Sequence, residues 1–126
     1  MKKWLPYIFA ALLLIGAIAH VVVPEAYLPL IPDFIPSLIA NIVAAAAEAV
    51  IGVLLLLPKY RAYGGLAFSL LMIAFMPLHI WDLLRDDPMI TPYAAAIVRV
   101  VIQCFLIYAG WRIYKVNPKN GDALVE

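Results

Sequence analysis

Four long apolar stretches, separated by short polar or proline-rich breaks, occupy most of the chain. A helix needs about 20 apolar residues to cross a hydrocarbon core about 30 Å thick, and each stretch has this length. The pattern therefore predicts an all-α protein, a transmembrane four-helix bundle with antiparallel helices, as a single domain over residues 1–115. We expect the spans at residues 4–23, 38–57, 64–84 and 92–115.

The connections between these stretches differ in character. Residues 24–37 form a loop with four prolines, each of which removes a backbone donor and fixes φ, so the loop cannot be one continuous helix. Its apolar side chains indicate either a lid over the mouth of the bundle or an interfacial loop among lipid headgroups, and both interpretations stay open. The connection PKYRAYG is short enough to join neighbouring helices. Residues 116–126 are expected to form a polar cytoplasmic tail.

The composition also indicates a membrane protein. Of the 126 residues, 67% are hydrophobic and 13% are charged, and the mean hydropathy is +1.00. We expect the lipid bilayer to surround the chain and no nucleic acid to bind it. Cys104 is the single cysteine, which excludes a disulfide within the chain. The basic start and the Ala-x-Ala sequence at residues 17–19 also fit a cleavable signal peptide, but we interpret this segment as the first span.

Basic residues outside the middles of the spans collect on one side of the predicted membrane. Seven lie at the N-terminus, in the PKYRAYG connection and near the C-terminal end: Lys2, Lys3, Lys59, Arg61, Arg112, Lys115 and Lys119. The other side has only Arg85. Because cytoplasmic segments carry the excess of lysine and arginine, both termini are predicted to be cytoplasmic and the proline-rich loop external.

Five polar side chains within the spans are candidates for one buried cluster, all in the predicted outer half of the membrane: His20, Glu48, His79, Arg99 and Gln103. A charged side chain near the membrane centre costs at least about 2.5 to 3.5 kcal/mol and normally finds a partner. We therefore predict an ion pair between Glu48 and Arg99, extended by Gln103, His79 and His20.

This polar cluster has two interpretations, and the residues alone do not decide between them. In the structural one, the cluster fixes the register of the helices, as interhelical polar contacts do in other membrane proteins. In the functional one, it forms the polar floor of a pocket that holds the head of an apolar ligand.

Small residues and one proline predict how closely the helices approach and where one of them bends. Ala40, Ala44, Ala47 and Gly52 form a stripe that predicts the close approach of another helix. Pro77 removes a backbone hydrogen bond and is predicted to kink the third span beside a histidine, which fits a cavity wall.

Other chemistry has little support in the sequence. A metal site would need His20, His79 and an acid such as Glu48 or Asp82 to converge, and neither HxxxH nor CxxC spacing is present, so we predict none. Hydrolase and nucleotide-binding motifs are also missing from the sequence. An enzymatic role of the chain on its own is the least expected function.

The order of short motifs resembles that of the DoxX-like family of small four-helix membrane proteins. The motifs are GxxxH, PxxYLxxIPxFIP, ExxxG, a basic residue after the second span, a proline followed by a polar residue, and RxxxQ; they span Gly16 to about Tyr114. The resemblance implies a four-helix bundle in a bacterial or archaeal cytoplasmic membrane, with Glu48, Arg99 and Gln103 as the shared polar core. The chain departs from the family pattern at Ala45 and Ala46, where serine and glycine are common, and at His79, where asparagine is frequent.

Members of that family include membrane subunits of quinol or thiosulfate–quinone redox systems, a methylamine-utilisation accessory protein and an animal chaperone for acetylcholine receptors. The first candidate function is a binding or accessory subunit that holds a quinone-like or other lipophilic small molecule at the polar cluster, which the position of the cluster below the proline-rich loop favours. The alternative is a membrane-protein assembly factor or chaperone that acts through helix packing. Candidate partners are a larger membrane protein or redox complex and a second copy of the chain, and the candidate ligand is a quinone or a lipid.

Overall fold

The computed structural model describes residues 2–119. This part of the chain has no strand and contains four long α-helices and one short 3₁₀ helix. The α-helices are α1 (Leu5–Val22), α2 (Ser37–Leu56), α3 (Arg61–Leu84) and α4 (Tyr93–Val116), and the 3₁₀ helix is Pro24–Leu30. All four α-helices are long and apolar enough to cross a membrane, which confirms the predicted all-helical class with four apolar spans. Residues 120–126 of the predicted tail lie outside the described residues.

Prolines set several helix ends. Pro6 lies in the first turn of α1, while α2 and α4 begin directly after Pro36 and Pro92. The first turn of a helix needs no backbone donors, so a proline is tolerated there and its fixed φ suits the helix. Helix α3 begins at Arg61, three residues before the predicted start of the span. Hydropathy shows where a helix becomes apolar, and the helical conformation can begin several residues earlier.

The helices pack in chain order. Helix α1 lies against α2, α3 lies against α4, and α2 contacts α3 less extensively. Each helix buries one face; in α1 the buried residues include Phe9, Leu13 and Ala17. The opposite face of α1 exposes large apolar side chains such as Leu12 and Ile15. A helix with apolar residues all round suits a membrane span, because lipid surrounds the outward face.

One half of the molecule, which we call the packed half, is closely filled. The ring of Phe9 stacks on that of Phe68 with 4.8 Å between centroids, and Leu55 and Ile113 are fully buried. Helices α3 and α4 approach backbone to backbone at Gly110, where a Cβ atom would lie 2.8 Å from the carbonyl oxygen of Gly65. This close approach leaves no room for a side chain.

Arg61 closes the end of the packed half. Its Nε donates to the carbonyl oxygen of Leu55 (2.9 Å), and its Nη2 donates to the Tyr7 hydroxyl (2.9 Å) and to the carbonyl oxygen of Leu56 (3.2 Å). The last carbonyls of a helix lack intrahelical partners, and a basic side chain satisfies them well. Arg61 thereby ties the start of α3 to the end of α2 and to α1.

Candidate functional site

The other half of the molecule, which we call the cavity half, contains a cavity of about 550 Å³. Helices α2, α3 and α4 supply most of its wall, α1 supplies His20, and the proline-rich loop supplies Tyr27, Leu30 and Ile31. Small-molecule sites typically have volumes of about 300 to 1,000 Å³ with mostly apolar walls and a few polar groups. This cavity has that size and that character.

The five polar residues singled out in the spans all lie on the wall of this cavity: His20, Glu48, His79, Arg99 and Gln103. They divide into two groups, however. One group joins α1 to α2, and the other joins α3 to α4.

The first group is built around Glu48. The carboxylate oxygen Oε1 lies 3.6 Å from His20 Nε2, and both side chains are about nine-tenths buried. Glu48 lies on the face of α2 that also buries Asn41 and Ala45, and this face is turned toward α1. The partner of the lone acid is therefore the histidine of α1.

Asn41 completes this group, and sequence reasoning missed it. Its Oδ1 lies 2.7 Å from His20 Nδ1, and its Nδ2 donates to the carbonyl oxygen of Pro24 (3.4 Å). Asn41 precedes Glu48 by seven residues, which is two helical turns and the same face. That spacing was the signal that could have found it.

The contacts with Asn41 fix one proton of the group. Because the Asn41 amide donates to Pro24, its oxygen faces His20, and His20 Nδ1 must carry a proton to donate to it. His20 Nε2 is then the ring nitrogen that faces Glu48 Oε1 across 3.6 Å.

Gly16 makes room for the acid. A Cβ atom at Gly16 would collide with Glu48 Oε2, so a larger residue in this position of α1 would displace the carboxyl group. Within the described residues Oε2 is buried without a hydrogen-bond partner. The GxxxH motif is thus explained physically, since its glycine and its histidine contact the same side chain.

The second group pairs Arg99 with His79. Arg99 Nε donates to His79 Nδ1 (3.1 Å), which leaves the proton of a neutral His79 ring on Nε2. No carboxylate in residues 2–119 forms an ion pair with Arg99. The predicted ion pair between Glu48 and Arg99 is therefore wrong, because the acid turns toward α1 while the arginine binds α3.

Gln103 lies one turn beyond Arg99 on α4. Its Nε2 donates to the carbonyl oxygen of Met72 (2.8 Å) and lies 3.5 Å from the Met72 sulfur, and the side chain is buried. The amide therefore fixes α4 against α3 at the base of the cavity. Within residues 2–119, the contacts of Gln103 hold α3 and α4 together.

The proline-rich loop covers part of the cavity. Tyr27 stacks on His20 with 3.7 Å between ring centroids, and Leu30 and Ile31 line the cavity wall. Burial raises the pKa of the Tyr27 phenol above its usual value, and the Glu48 carboxylate adds to this while Arg99 opposes it. The hydroxyl thus stays protonated at neutral pH. This placement favours the lid over the interfacial loop.

The small-residue stripe of α2 has two kinds of surroundings. Gly52 lies close to another helix, since a Cβ there would lie 3.0 Å from the Leu14 side chain. Ala40, Ala44 and Ala47 line the cavity. Their small side chains therefore provide space for the cavity.

Pro77 lies inside α3, which continues without interruption from Arg61 to Leu84. Its missing N–H leaves the carbonyl oxygen of Ile73 without its usual helical donor. Pro77 itself is exposed, whereas the neighbouring Leu78 and His79 line the cavity. The kink remains a prediction.

Asp82, at the end of α3, organises the connection to α4. It is almost fully buried, and its Oδ1 accepts from Arg85 Nη2 (2.9 Å) and from the backbone N–H of Met89 (2.8 Å). Its Oδ2 accepts from the backbone N–H of Ile90 (3.3 Å). Asp82 is therefore engaged outside the cavity. Across residues 2–119, no three His, Cys, Asp or Glu side chains are grouped so that they could hold a metal ion.

Comparison with known families places the chain. A family model described as Domain of unknown function (DUF8561) matches residues 9–114. The match covers most of the chain, so the protein belongs to this family. No curated protein and no solved structure matches it.

Proposed function

We propose that this DUF8561 protein binds a lipophilic small molecule with a polar head in the cavity between α2, α3 and α4. The observation that carries the proposal is a cavity of about 550 Å³ whose wall is largely apolar and yet includes His20, Glu48 and Arg99. Polar groups are costly in a membrane interior unless they have partners. A ligand with an apolar body and a polar head would contact the apolar wall and would supply a partner for these polar side chains.

The position of the proline-rich loop also supports the proposal. Tyr27, Leu30 and Ile31 lie on the cavity wall, so the loop separates part of the cavity from its surroundings. A segment placed in this way can sequester a ligand and has to move or be bypassed for the ligand to enter. Simple helix packing would not need this arrangement.

The resemblance to DoxX-like proteins adds a quinone-like molecule as one candidate ligand and an accessory subunit of a redox complex as one candidate role. Within residues 2–119 no specific observation favours the alternative of a membrane-protein assembly factor. That function enters as an outcome of the test below.

We further propose that the chain crosses a bacterial or archaeal cytoplasmic membrane four times with antiparallel helices and both termini cytoplasmic. The excess of basic residues at the Arg61 end supports this orientation, which directs the cavity half toward the external side. Single-cysteine variants in a Cys104→Ala background test it. A membrane-impermeant maleimide should label Asp86→Cys in intact cells and label Lys59→Cys only after lysis; the reverse pattern would invert the topology.

The binding proposal is tested by a pair of neighbouring substitutions. Ala47 lines the cavity, whereas Ala46 is exposed on the outward face of the same helix. Ala47→Phe should fill the cavity, and Ala46→Phe should point its ring into lipid. Each variant and the wild type are purified in neutral detergent, and organic extracts are compared by mass spectrometry.

We expect one lipophilic species at about one molecule per chain in the wild type and in Ala46→Phe, and its loss in Ala47→Phe. Equal extracts from all three proteins would contradict the proposal. If the extracts are equal and crosslinking in native membranes captures one dominant protein that depends on the chain, the assembly-factor function replaces it.

A further inference from the structure

Arg99 has an unmatched charge. It lies six residues after the first residue of α4, about 9 Å along the helix. Its single described hydrogen bond uses Nε, and no carboxylate in residues 2–119 pairs with it. The two terminal nitrogens of the guanidinium group are thus available on the cavity wall.

The other titratable groups that face the cavity do not pair with this charge as a counter-ion. Glu48 is the carboxylate on the wall, and its ion-pair partner in residues 2–119 is His20, whose Nε2 lies 3.6 Å from Oε1. His79 accepts a hydrogen bond from Arg99 and is therefore neutral. Burial raises the pKa of the Tyr27 phenol, which keeps its proton at neutral pH. Arg99 is therefore the cation on the wall that lacks an anionic partner within residues 2–119.

The remaining wall is apolar. Ala44 and Ala47 of α2 contribute to it, as do Leu71 and Phe75 of α3 and Leu106 of α4. A molecule that matches both parts must combine an anionic group with an apolar body.

We propose that the ligand of this cavity is an acidic amphiphile, with a carboxylate or phosphate head bound by the guanidinium of Arg99 and an apolar chain along Ala44 and Ala47. The inference rests on the proposed binding function and makes its ligand class specific. A guanidinium presents paired N–H donors that match the two oxygens of such a head. The Nε2–H of His79 is a further donor beside it. A neutral quinone would accept hydrogen bonds but would leave the charge of Arg99 without a counter-ion.

The test uses tritiated oleate as the probe. The full-length protein, purified in neutral detergent and immobilised, is loaded with the probe and then titrated with three unlabelled competitors of equal chain length: dodecanoate, dodecyl phosphate and dodecanol. We expect the acidic competitors to displace oleate at concentrations at least about tenfold lower than dodecanol, which corresponds to about 1.4 kcal/mol. The stronger of the two acidic competitors identifies the head group, and a preference for either supports the proposal.

Substitutions locate the effect. Arg99→Gln should weaken oleate binding about tenfold or more, while Arg99→Lys, which keeps the charge without the paired donors, should fall between it and the wild type. Arg112→Gln is the matched control, because Arg112 is exposed near the other end of the same helix. It should bind oleate like the wild type. Size-exclusion profiles confirm that each variant is folded.

Two results would overturn the inference: dodecanol competing as well as the acids, or Arg99→Gln behaving like Arg112→Gln. Ala47→Phe separates this failure from that of the proposed function. If Ala47→Phe abolishes the binding of oleate while the acids show no advantage, the cavity still binds a lipophilic molecule and the ligand is neutral. If Ala47→Phe changes nothing, the binding site is elsewhere and both proposals fail.

Discussion

The two halves of the molecule use small residues in opposite ways. In the packed half, the backbones of α3 and α4 approach so closely at Gly65 and Gly110 that no side chain fits between them. In the cavity half, Ala44 and Ala47 line an open space. A small residue therefore permits close approach but does not cause it. The separation of the helices depends on which neighbours the rest of each helix is bound to.

The polar contacts explain why the cavity half stays open. His20 with Asn41 and Glu48 joins α1 to α2, whereas the hydrogen bonds of Arg99 and Gln103 join α4 to α3. In residues 2–119, none of the side-chain hydrogen bonds of this half joins α2 to α3 directly. The two helix pairs are each held firmly, and the cavity lies where they face each other.

The largest effect is expected from a side chain forced into the packed half. Gly110→Val would place its Cβ 2.8 Å from backbone atoms of both Gly65 and Ser69, so α3 and α4 must separate. Overpacking of this kind costs about 3 kcal/mol. Thermal unfolding in detergent should show a markedly lower midpoint or no folded protein. Ala94→Val, on an exposed position of the same helix, is the control and should melt like the wild type.

An identical substitution in each half sharpens the comparison. Ala10 is fully buried in the core of the packed half, and Ala10→Leu should lower the free energy of unfolding by about 2 kcal/mol. Ala47→Leu adds the same atoms beside the cavity and should be neutral or stabilising. Thermal melts compare the stability of both variants with that of the wild type. Equal destabilisation would mean that the cavity is not open space in the folded protein.

The pairing of charges is tested by two double-mutant cycles. Glu48→Gln combined with His20→Gln should give a coupling energy of about 1 kcal/mol, as interhelical polar contacts in membranes do. Glu48→Gln combined with Arg99→Gln should be additive, because each side chain has a different partner. The energies are measured from unfolding in detergent at neutral pH. A larger coupling energy in the second cycle would indicate that Glu48 and Arg99 do form an ion pair, contrary to the structure.

The sequence predicted the four apolar helices well because hydropathy over about 20 residues measures what a bilayer demands. It also placed the five polar side chains in one half of the membrane, and all five lie on the wall of one cavity. It could not assign the partner of Glu48, because depth does not show which way a helix is rotated. The stacking of Tyr27 on His20 could not be predicted for a different reason: an irregular loop has no periodicity from which its contacts can be inferred.

The smallest expected effect concerns pH. The raised pKa of Tyr27 means that the folded state favours the neutral phenol. Its contribution to stability is fully present below the usual tyrosine pKa of about 10 and is lost as the pH rises through the higher pKa of the folded state. Tyr27→Phe should therefore lessen the loss of thermal stability at alkaline pH. Tyr93→Phe, in an exposed position, should leave that loss unchanged.

The most direct test of ligand binding in the cavity is a density map of the protein extracted from its native membrane. We predict non-protein density in the cavity beside Ala47 and Phe75, with its polar end at Arg99 and with Glu48 turned toward His20. Helices α2 and α3 in contact along their whole length, with Arg99 turned out to lipid, would contradict it.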